Sequence, residues 1–349
     1  MASKTIQGAT KIRIYPDKEQ GVLLAKHFGC ARFVYNYFLD LKKNTYEETG
    51  KSPGLYECSR LLTQLKKQPE YTWLNEIDSQ SSKAVLKDLD NAFSKFFKKT
   101  GRYPRFKSKK DNSHSYRATQ CISINIENNT LKVPKFSKPF KFRGTIKDGL
   151  IKINSCTISK TPSGKYFASI QGVFEMETLA STGEIIGIDL GIKNLLVDSN
   201  GKTYENKQFL ERSLKKIQYL SRQLSKKQKG SKNREKARQK LAIQHETISL
   251  KRKDYLHKVS CALVRENQTI CMENPCTAEI VVSKKFRRIS RKLYDVSWGM
   301  FKDFVRYKSE LHDRELIIIP RLQERTEKNI DSAKRILLEG LKELSVCRQ

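Results

Sequence analysis

Two acidic residues set in apolar runs are the places where this chain could do chemistry. Asp189 lies in "EIIGIDLGIKNLLVDSNGK" (184–202), between Gly187 and Gly191, on a run that reads as a strand followed at once by a second strand and a turn. Glu273 ends the run "QTICMEN" (268–274). A lone acid at a strand end is usually an ordinary surface carboxylate. Two on neighbouring strands offer hard anionic oxygens of the kind Mg²⁺ prefers. Phosphodiester cleavage needs several carboxylates converging on paired ions. The two acids therefore suggest a metal-dependent nuclease site, provided a third anionic ligand follows. Its place would be within "ERTEKNIDSAKRIL" (324–337).

The elements that must position these acids come in an informative order. Strands at 185–190 and 194–198 join "KTYE" through Asn200-Gly201. A long basic helical stretch, about 206 to 267, follows, and Gly230-Ser231 divides it into a hairpin. The strand "QTICMEN", a helix around Trp298 to His312, the strand "ELIIIP" and a last helix at about 327–344 complete the series. That order is the one expected of a ribonuclease H-like unit.

Upstream, "TKIRIY" (10–15) alternates like a short strand and stops at Pro16, and the pattern then turns helical to about Lys98. "AVLKDLDNAFSKFF" sets Val85, Leu86, Leu89, Phe93, Phe96 and Phe97 at helical spacing, an apolar stripe expected to be core. "KKTGRYPRFKSKK" breaks that helix and packs seven Lys and Arg into thirteen residues. From Ser115 to Gln171 short alternating runs separated by Asn128-Asn129 and Ser163-Gly164 indicate a small antiparallel sheet or barrel. "METLASTGE" reads as a linker.

Composition narrows the partners. Lys and Arg number 69 against 37 acids, a formal charge of +32. A charge that large opposes compaction unless a polyanion neutralises it, and the excess runs the length of the chain, so nucleic acid is the expected partner. No stretch approaches 18 apolar residues, so a membrane span is not expected. The opening "MASKTIQGATKIRIYPDKEQ" has no apolar signal region, so export is not expected either, and the predicted location is cytoplasmic, at the nucleoid. Eight scattered cysteines include no CxxC pair, and five histidines show no HxxxH or HExxH spacing, so no zinc site is expected.

The sequence resembles TnpB, the RNA-guided nucleases of insertion sequences. The segments that carry the resemblance are "ARFVYNYFL" (31–39), "YPRFKSKK" (103–110), "GIDLGIKNLLV" (187–197), "LHKVSCALVRE" (256–266), "MEN" (272–274) and "SWGMF" (297–301). The resemblance implies a multidomain α+β architecture. Residues 17–112 would form a helical recognition lobe. Residues 1–16 would give the first strand of a small antiparallel β-barrel, the wedge, completed by 113–182. Residues 183–349 would form a RuvC-like α/β domain with a helical hairpin insertion.

Where the family carries a four-cysteine zinc module and then "DRDxNAAxNIL", this chain runs "ELIIIPRLQERTEKNIDSAKRIL" without a cysteine. Anchoring on Ile336-Leu337 places Glu327-Lys328-Asn329 on the family's Asp-Arg-Asp, so the third ligand position falls on Asn329. Asp331 is two positions on and points elsewhere on a helix. By this resemblance Asp189, Glu273 and Asn329 form a vestigial site with no zinc and no catalytic Mg²⁺. The combination looks like the nuclease-dead TnpB-derived repressors called TldR, which occupy promoter DNA under a guide RNA.

The partners so implied are one guide RNA per protein, encoded near the gene, and double-stranded target DNA with a short adjacent motif. An active endonuclease with a reduced metal site and a plain RNA-binding transposon regulator are the alternatives. RNA and heteroduplex contacts are expected from Arg102, Arg105, Lys107, Lys109 and Lys110, with Phe106 stacking. The hairpin adds Lys226, Lys227, Lys229, Lys232, Arg234, Lys236 and Arg238. By the resemblance, Tyr56, Ser59, Ser79, Gln80 and Lys83 would read the adjacent motif, although Ser79 could be a helix-terminus residue beside an Asp78 cap.

Overall fold

The computed structural model describes residues 3–111, 114–274, 287–320 and 329–347. The chain forms two compact units, Thr5–Met176 and Met1–Lys4 with Glu177–Gln349.

In the N-terminal unit, β1 (Ser3–Tyr15) is longer than its alternating half suggested, because residues 3–9 are mostly exposed and only the later positions bury Ile12 and Ile14. Helix α1 (Lys18–Thr49) starts at a capping box: Asp17 accepts from the Gln20 N–H at 2.8 Å, and Gln20 Oε1 accepts from the Asp17 N–H at 3.0 Å. It ends at Gly50, whose φ of 70° lets its N–H reach the Tyr46 carbonyl. Helices α2 (Leu55–Leu65) and α3 (Ser79–Phe97) follow, separated by a 3₁₀ segment at Pro69–Glu76.

Seven strands form one curled sheet with the order β2-β6-β7-β1-β5-β4-β3. They are β1, β2 (His114–Ala118), β3 (Ser123–Asn125), β4 (Thr130–Lys132), β5 (Phe140–Arg143), β6 (Leu150–Lys160) and β7 (Tyr166–Glu177). Among the described residues the order is open, with β2 and β3 at the edges: of the sheet or barrel that the alternating runs indicated, the strand order is that of a sheet. One core joins helices and sheet, from Leu24, Val34 and Phe38 of α1 through Leu89 of α3 to Phe140 and Ile158.

The aromatic stripe of α3 does not all enter that core. Val85, Leu86 and Leu89 are buried and Phe93 packs against them, but Phe96 is 37% and Phe97 73% exposed. Expecting both rings in the core was wrong, because the helix outruns the elements that could cover its last turn.

The C-terminal unit is built on a five-stranded sheet with the order β10-β9-β8-β11-β12. Strands β8 (Ile185–Leu190), β9 (Asn194–Asp198) and β10 (Thr203–Glu205) pair antiparallel, and β11 (Thr269–Glu273) lies parallel to both β8 and β12 (Glu315–Ile319). The expected hairpin is α4 (Phe209–Ser225) and α5 (Lys232–Glu266). A helix that the sequence did not suggest, α6 (Arg287–Val296), precedes α7 (Trp298–Leu311), and α8 (Asn329–Cys347) closes the unit.

Ile186, Ile188 and Leu190 of β8 face Leu256, Leu263, Phe301 and Val305 of α5 and α7. The opposite face lies under α8, and a glycine makes room there. A Cβ on Gly187 would collide with the Ala333 carbonyl and stand 2.8 Å from Leu337 Cβ. Among the described residues no helix is long and apolar enough to cross a membrane.

Candidate functional site

Strand alternation decides where the two acids stand. Gly187 faces α8, so Asp189, two residues on, occupies the same face at the strand's C-terminal end. On β11, Ile270 and Met272 face α5 and α7, while Cys271 packs beneath α8 with Ile336, leaving Glu273 on the Asp189 side. The parallel register pairs Cys271 with Gly187 and Met272 with Ile188, so Glu273 is the next position beside Asp189. Both are buried, at 7% and 6% exposure.

Two other buried acids in the unit have structural work. Asp198 accepts from the N–H groups of Asn200 at 3.1 Å and Lys202 at 2.8 Å, closing the β9–β10 turn. Asp295 accepts from the Leu210 N–H at the start of α4 at 3.0 Å and pairs with Arg252 at 2.7 Å. Asp189 and Glu273 differ from these by standing side by side at strand ends.

The expected third position, 329, is the first residue of α8. Ile330 of that helix lies over Gly201, Ala333 over Gly187 and Gly340 over Cys271, so α8 crosses the sheet from the β9–β10 turn towards β12. Position 329 is one turn before Ala333 along α8, and the row of Ala333, Ile336 and Gly340 meets the sheet. Asp331, half-buried, is rotated about 200° from that row at roughly 100° per residue. The Asn329 side chain and residues 327–328 lie outside the described residues. Among the described residues no cluster of three His, Cys, Asp or Glu could hold a metal.

The basic segment 102–110 belongs to the N-terminal unit and is pinned to α1. The Asn36 amide brackets residue 107, its Oδ1 accepting from the Lys107 N–H at 2.8 Å and its Nδ2 donating to the Lys107 carbonyl at 2.9 Å. The Lys107 ammonium lies 3.8 Å from the centroid of the Tyr35 ring. Although the residue as a whole is exposed, desolvation of that ammonium lowers its pKa from the usual lysine value. Lys107 therefore anchors the segment. Arg102, Arg105, Phe106, Lys109 and Lys110 stay exposed.

In the C-terminal unit's hairpin, Arg234 also turns inward. Its Nη1 donates to the carbonyls of Leu224 at 3.0 Å and Lys227 at 2.8 Å, capping the end of α4 instead of facing solvent. Arg238 pairs with Glu235 at 2.7 Å on an exposed face, while Lys226, Lys227, Lys229, Lys232 and Lys236 remain exposed.

Four of the five expected motif readers line one groove in the N-terminal unit. Tyr56 and Ser59 of α2 and Gln80 and Lys83 of α3 edge a cavity of about 590 Å³, floored by Arg117 of β2, Asn154 and Ser155 of β6 and Gln171 of β7. Tyr56 is 92% exposed, so this ring has no packing duty. Ser79 is not part of the lining. It is the first residue of α3, beside Asp78, which caps the helix by accepting from the Ser81 N–H at 2.9 Å. Lys87, Asn91 and Arg117 were missed from sequence. The signal for the first two was a polar row on α3, Gln80, Lys83, Lys87 and Asn91, opposite its apolar stripe. Arg117 is held in place by Asp88 at 2.6 Å.

Two units, one with a strand-end carboxylate pair and one with a polar groove under a helical layer, define a class of mixed α/β protein. Comparison with known proteins places the chain within it. A family described as "Probable transposase", OrfB of IS605-type elements, matches residues 165–274. A companion family described as "Helix-turn-helix domain" matches residues 1–51, although there the structure has one strand and one long helix. A Streptomyces pristinaespiralis protein named "Putative RNA-guided DNA endonuclease" is 32% identical over 318 residues, covering 90% of this chain and 78% of that protein. The Escherichia coli K12 protein InsQ, named in the same words, is 28% identical over 326 residues, covering 89% and 80%. A solved chain from a "Cas12f1-sgRNA-target DNA complex" shares the fold at a TM-score of 0.50 and 12% identity, over 90% of this chain and 89% of that one. The chain belongs to the IS605 OrfB (TnpB) family.

Proposed function

We propose that this protein is a guide-RNA-directed, double-stranded-DNA-binding repressor of the TldR type, occupying its target without cutting it. The observation that carries the reading is the neutral Asn329 at the head of α8, at the position the family gives to its third catalytic aspartate. Loss of one charged ligand from such a site removes several kcal/mol of transition-state stabilisation, roughly three decades in rate. The binding side draws support from the +32 charge and from relatives named as RNA-guided DNA endonucleases.

In this reading residues 17–112 are the recognition lobe, the first strand with 113–182 the wedge, and 183–349 a RuvC-like domain without a zinc module. The exposed residues of 102–110 and of the α4–α5 hairpin grip a guide RNA encoded beside the gene. The groove of Tyr56, Ser59, Gln80 and Lys83 reads the short DNA motif beside the target. Neither zinc nor catalytic Mg²⁺ is part of the working complex.

A second reading, an active endonuclease, is favoured by the two retained carboxylates side by side and by the names of the relatives. One experiment separates them. The purified ribonucleoprotein is mixed with matching double-stranded DNA in Mg²⁺, and binding and strand scission are followed together. The expected result is binding with neither strand cut, and binding by Asp189→Ala within twofold of the unmodified protein. Nicking by the unmodified protein that Asp189→Ala abolishes would establish the endonuclease instead.

A further inference from the structure

The last turn of α3 and the loop after it form a surface that the motif groove and the carboxylate pair leave unused. Residues 91–110 contain eight Lys and Arg, five aromatic rings and no acid. Lys99 takes a left-handed φ of 56°, and the N–H groups of Thr100 and Gly101 both donate to the Lys95 carbonyl, at 2.9 and 3.1 Å. That reversal brings Tyr103 back onto the helix end. Its ring meets Phe96 edge-on at 5.2 Å and Phe93 at 5.7 Å, and Phe97 stands 5.4 Å from Phe96. The cluster is held together internally yet open to water, with Phe97 at 73% and Tyr103 at 45% exposure. Lys95, Lys98, Lys99 and Arg102 surround it, all exposed and without an ion pair among the described residues.

We infer that this cluster is a stacking platform for unpaired nucleotides. Fixed rings within a cationic frame match the chemistry of a single strand, whose bases offer free faces and whose phosphates need neutralising. A duplex hides its base faces and gives Phe97 nothing to stack on. A second copy of this chain fits less well, since interface cores are depleted of charge and two such faces would set cation against cation. The inference deepens the guide-RNA reading and rests on it for the identity of the natural strand.

The test uses the full chain and two fluorescein-labelled probes, a 12-nucleotide oligouridylate and a 12-base-pair mixed-sequence duplex. Phe97→Ala and Tyr103→Ala are each expected to weaken the oligouridylate about tenfold. Duplex affinity should stay within twofold and the salt dependence should be unchanged, because no charge is lost. Phe97→Trp should restore binding. Ultraviolet crosslinking of the ribonucleoprotein as purified should map to the peptide containing Phe97 and Tyr103. Equal losses on both probes, or none, overturn the platform. So does a concentration-dependent dimer that Phe97→Ala abolishes, which would assign the face to a second copy. If the chain purifies free of RNA, the guide-directed reading fails, while the oligouridylate titration still decides this one.

Discussion

The two units handle buried ionisable groups in opposite ways. Among the described residues the C-terminal unit buries six charged side chains: Asp189, Asp198, Glu273, Asp295, Lys308 and Arg314. The N-terminal unit buries Lys42, which faces Asp90 at 3.8 Å, and otherwise keeps its interior titratable groups neutral. Burial raises Cys30 to about 11 and Cys156 to about 12, pushes Tyr116 well above its usual value and lowers His27. Buried charge is costly unless partnered. For Lys308 the partners are the His257 carbonyl, the Ser260 hydroxyl and the Cys261 sulfur, at 2.8, 2.7 and 3.0 Å. Those partners tie α5 to α7, as Asp295 ties α4 to α5 and α6. The Asp189–Glu273 pair is set apart from these by its place, two buried acids at adjoining strand ends.

The sharpest way to break that contrast is to remove one acid of each kind. Asp295→Ala strands Arg252 in the interior and strips the start of α4, with an expected cost of about 3–5 kcal/mol in chemical denaturation. Asp189→Asn removes the charge but keeps the size and hydrogen-bonding capacity of the side chain, and should cost under about 1 kcal/mol. Equal losses would show that Asp189 is also a structural acid.

The carboxylate pair was legible because the glycines around Asp189 and the apolar run before Glu273 announce strands, and strand order brings their ends together. The hairpin was legible from Gly230-Ser231, which the structure places between α4 and α5. Other features were not, for reasons tertiary structure supplies. Periodicity gave Phe96 and Phe97 a helical face but could not say that both rings stay exposed. Composition marked Lys107 and Arg234 as two cations among many. Only the fold shows one lying over Tyr35 and the other capping α4. The groove floor combines β2, β6 and β7, and no local pattern foretells that Arg117 and Gln171 meet there.

A smaller effect sharpens the neutral side of the comparison. The N-terminal unit anchors its basic segment with an amide, Asn36, and among the described residues with no ion pair. Asn36→Ala removes both hydrogen bonds to residue 107, for an expected loss of about 1–2 kcal/mol. The Lys107 amide should lose its protection from hydrogen exchange, while amides of the five-stranded sheet keep theirs. Unchanged exchange at Lys107 would mean that the contact of its ammonium with Tyr35 suffices as the anchor.

The smallest expected effect is a dependence on pH carried by His27. Its side chain is fully buried, with ring centroids 4.6 Å from Tyr116 and 5.3 Å from Phe136. Nδ1 lies 2.9 Å from the Leu23 carbonyl and so carries the proton of the neutral ring, while Nε2 has no hydrogen-bond partner among the described residues. Desolvation lowers the folded-state pKa below 6.5. Between that lowered value and 6.5 the unfolded chain binds a proton that the folded chain does not, so stability rises with pH through this window and is level above it. Acidification from pH 7 towards 5.5 should therefore lower stability in urea unfolding of the full chain, with a slope no steeper than about 1.4 kcal/mol per pH unit for one proton. His27→Phe keeps an aromatic ring between Tyr116 and Phe136, loses the bond to Leu23 and should flatten that part of the profile, leaving the carboxylate titrations at lower pH untouched. The same slope in both proteins would assign the pH response to other titratable groups of the chain.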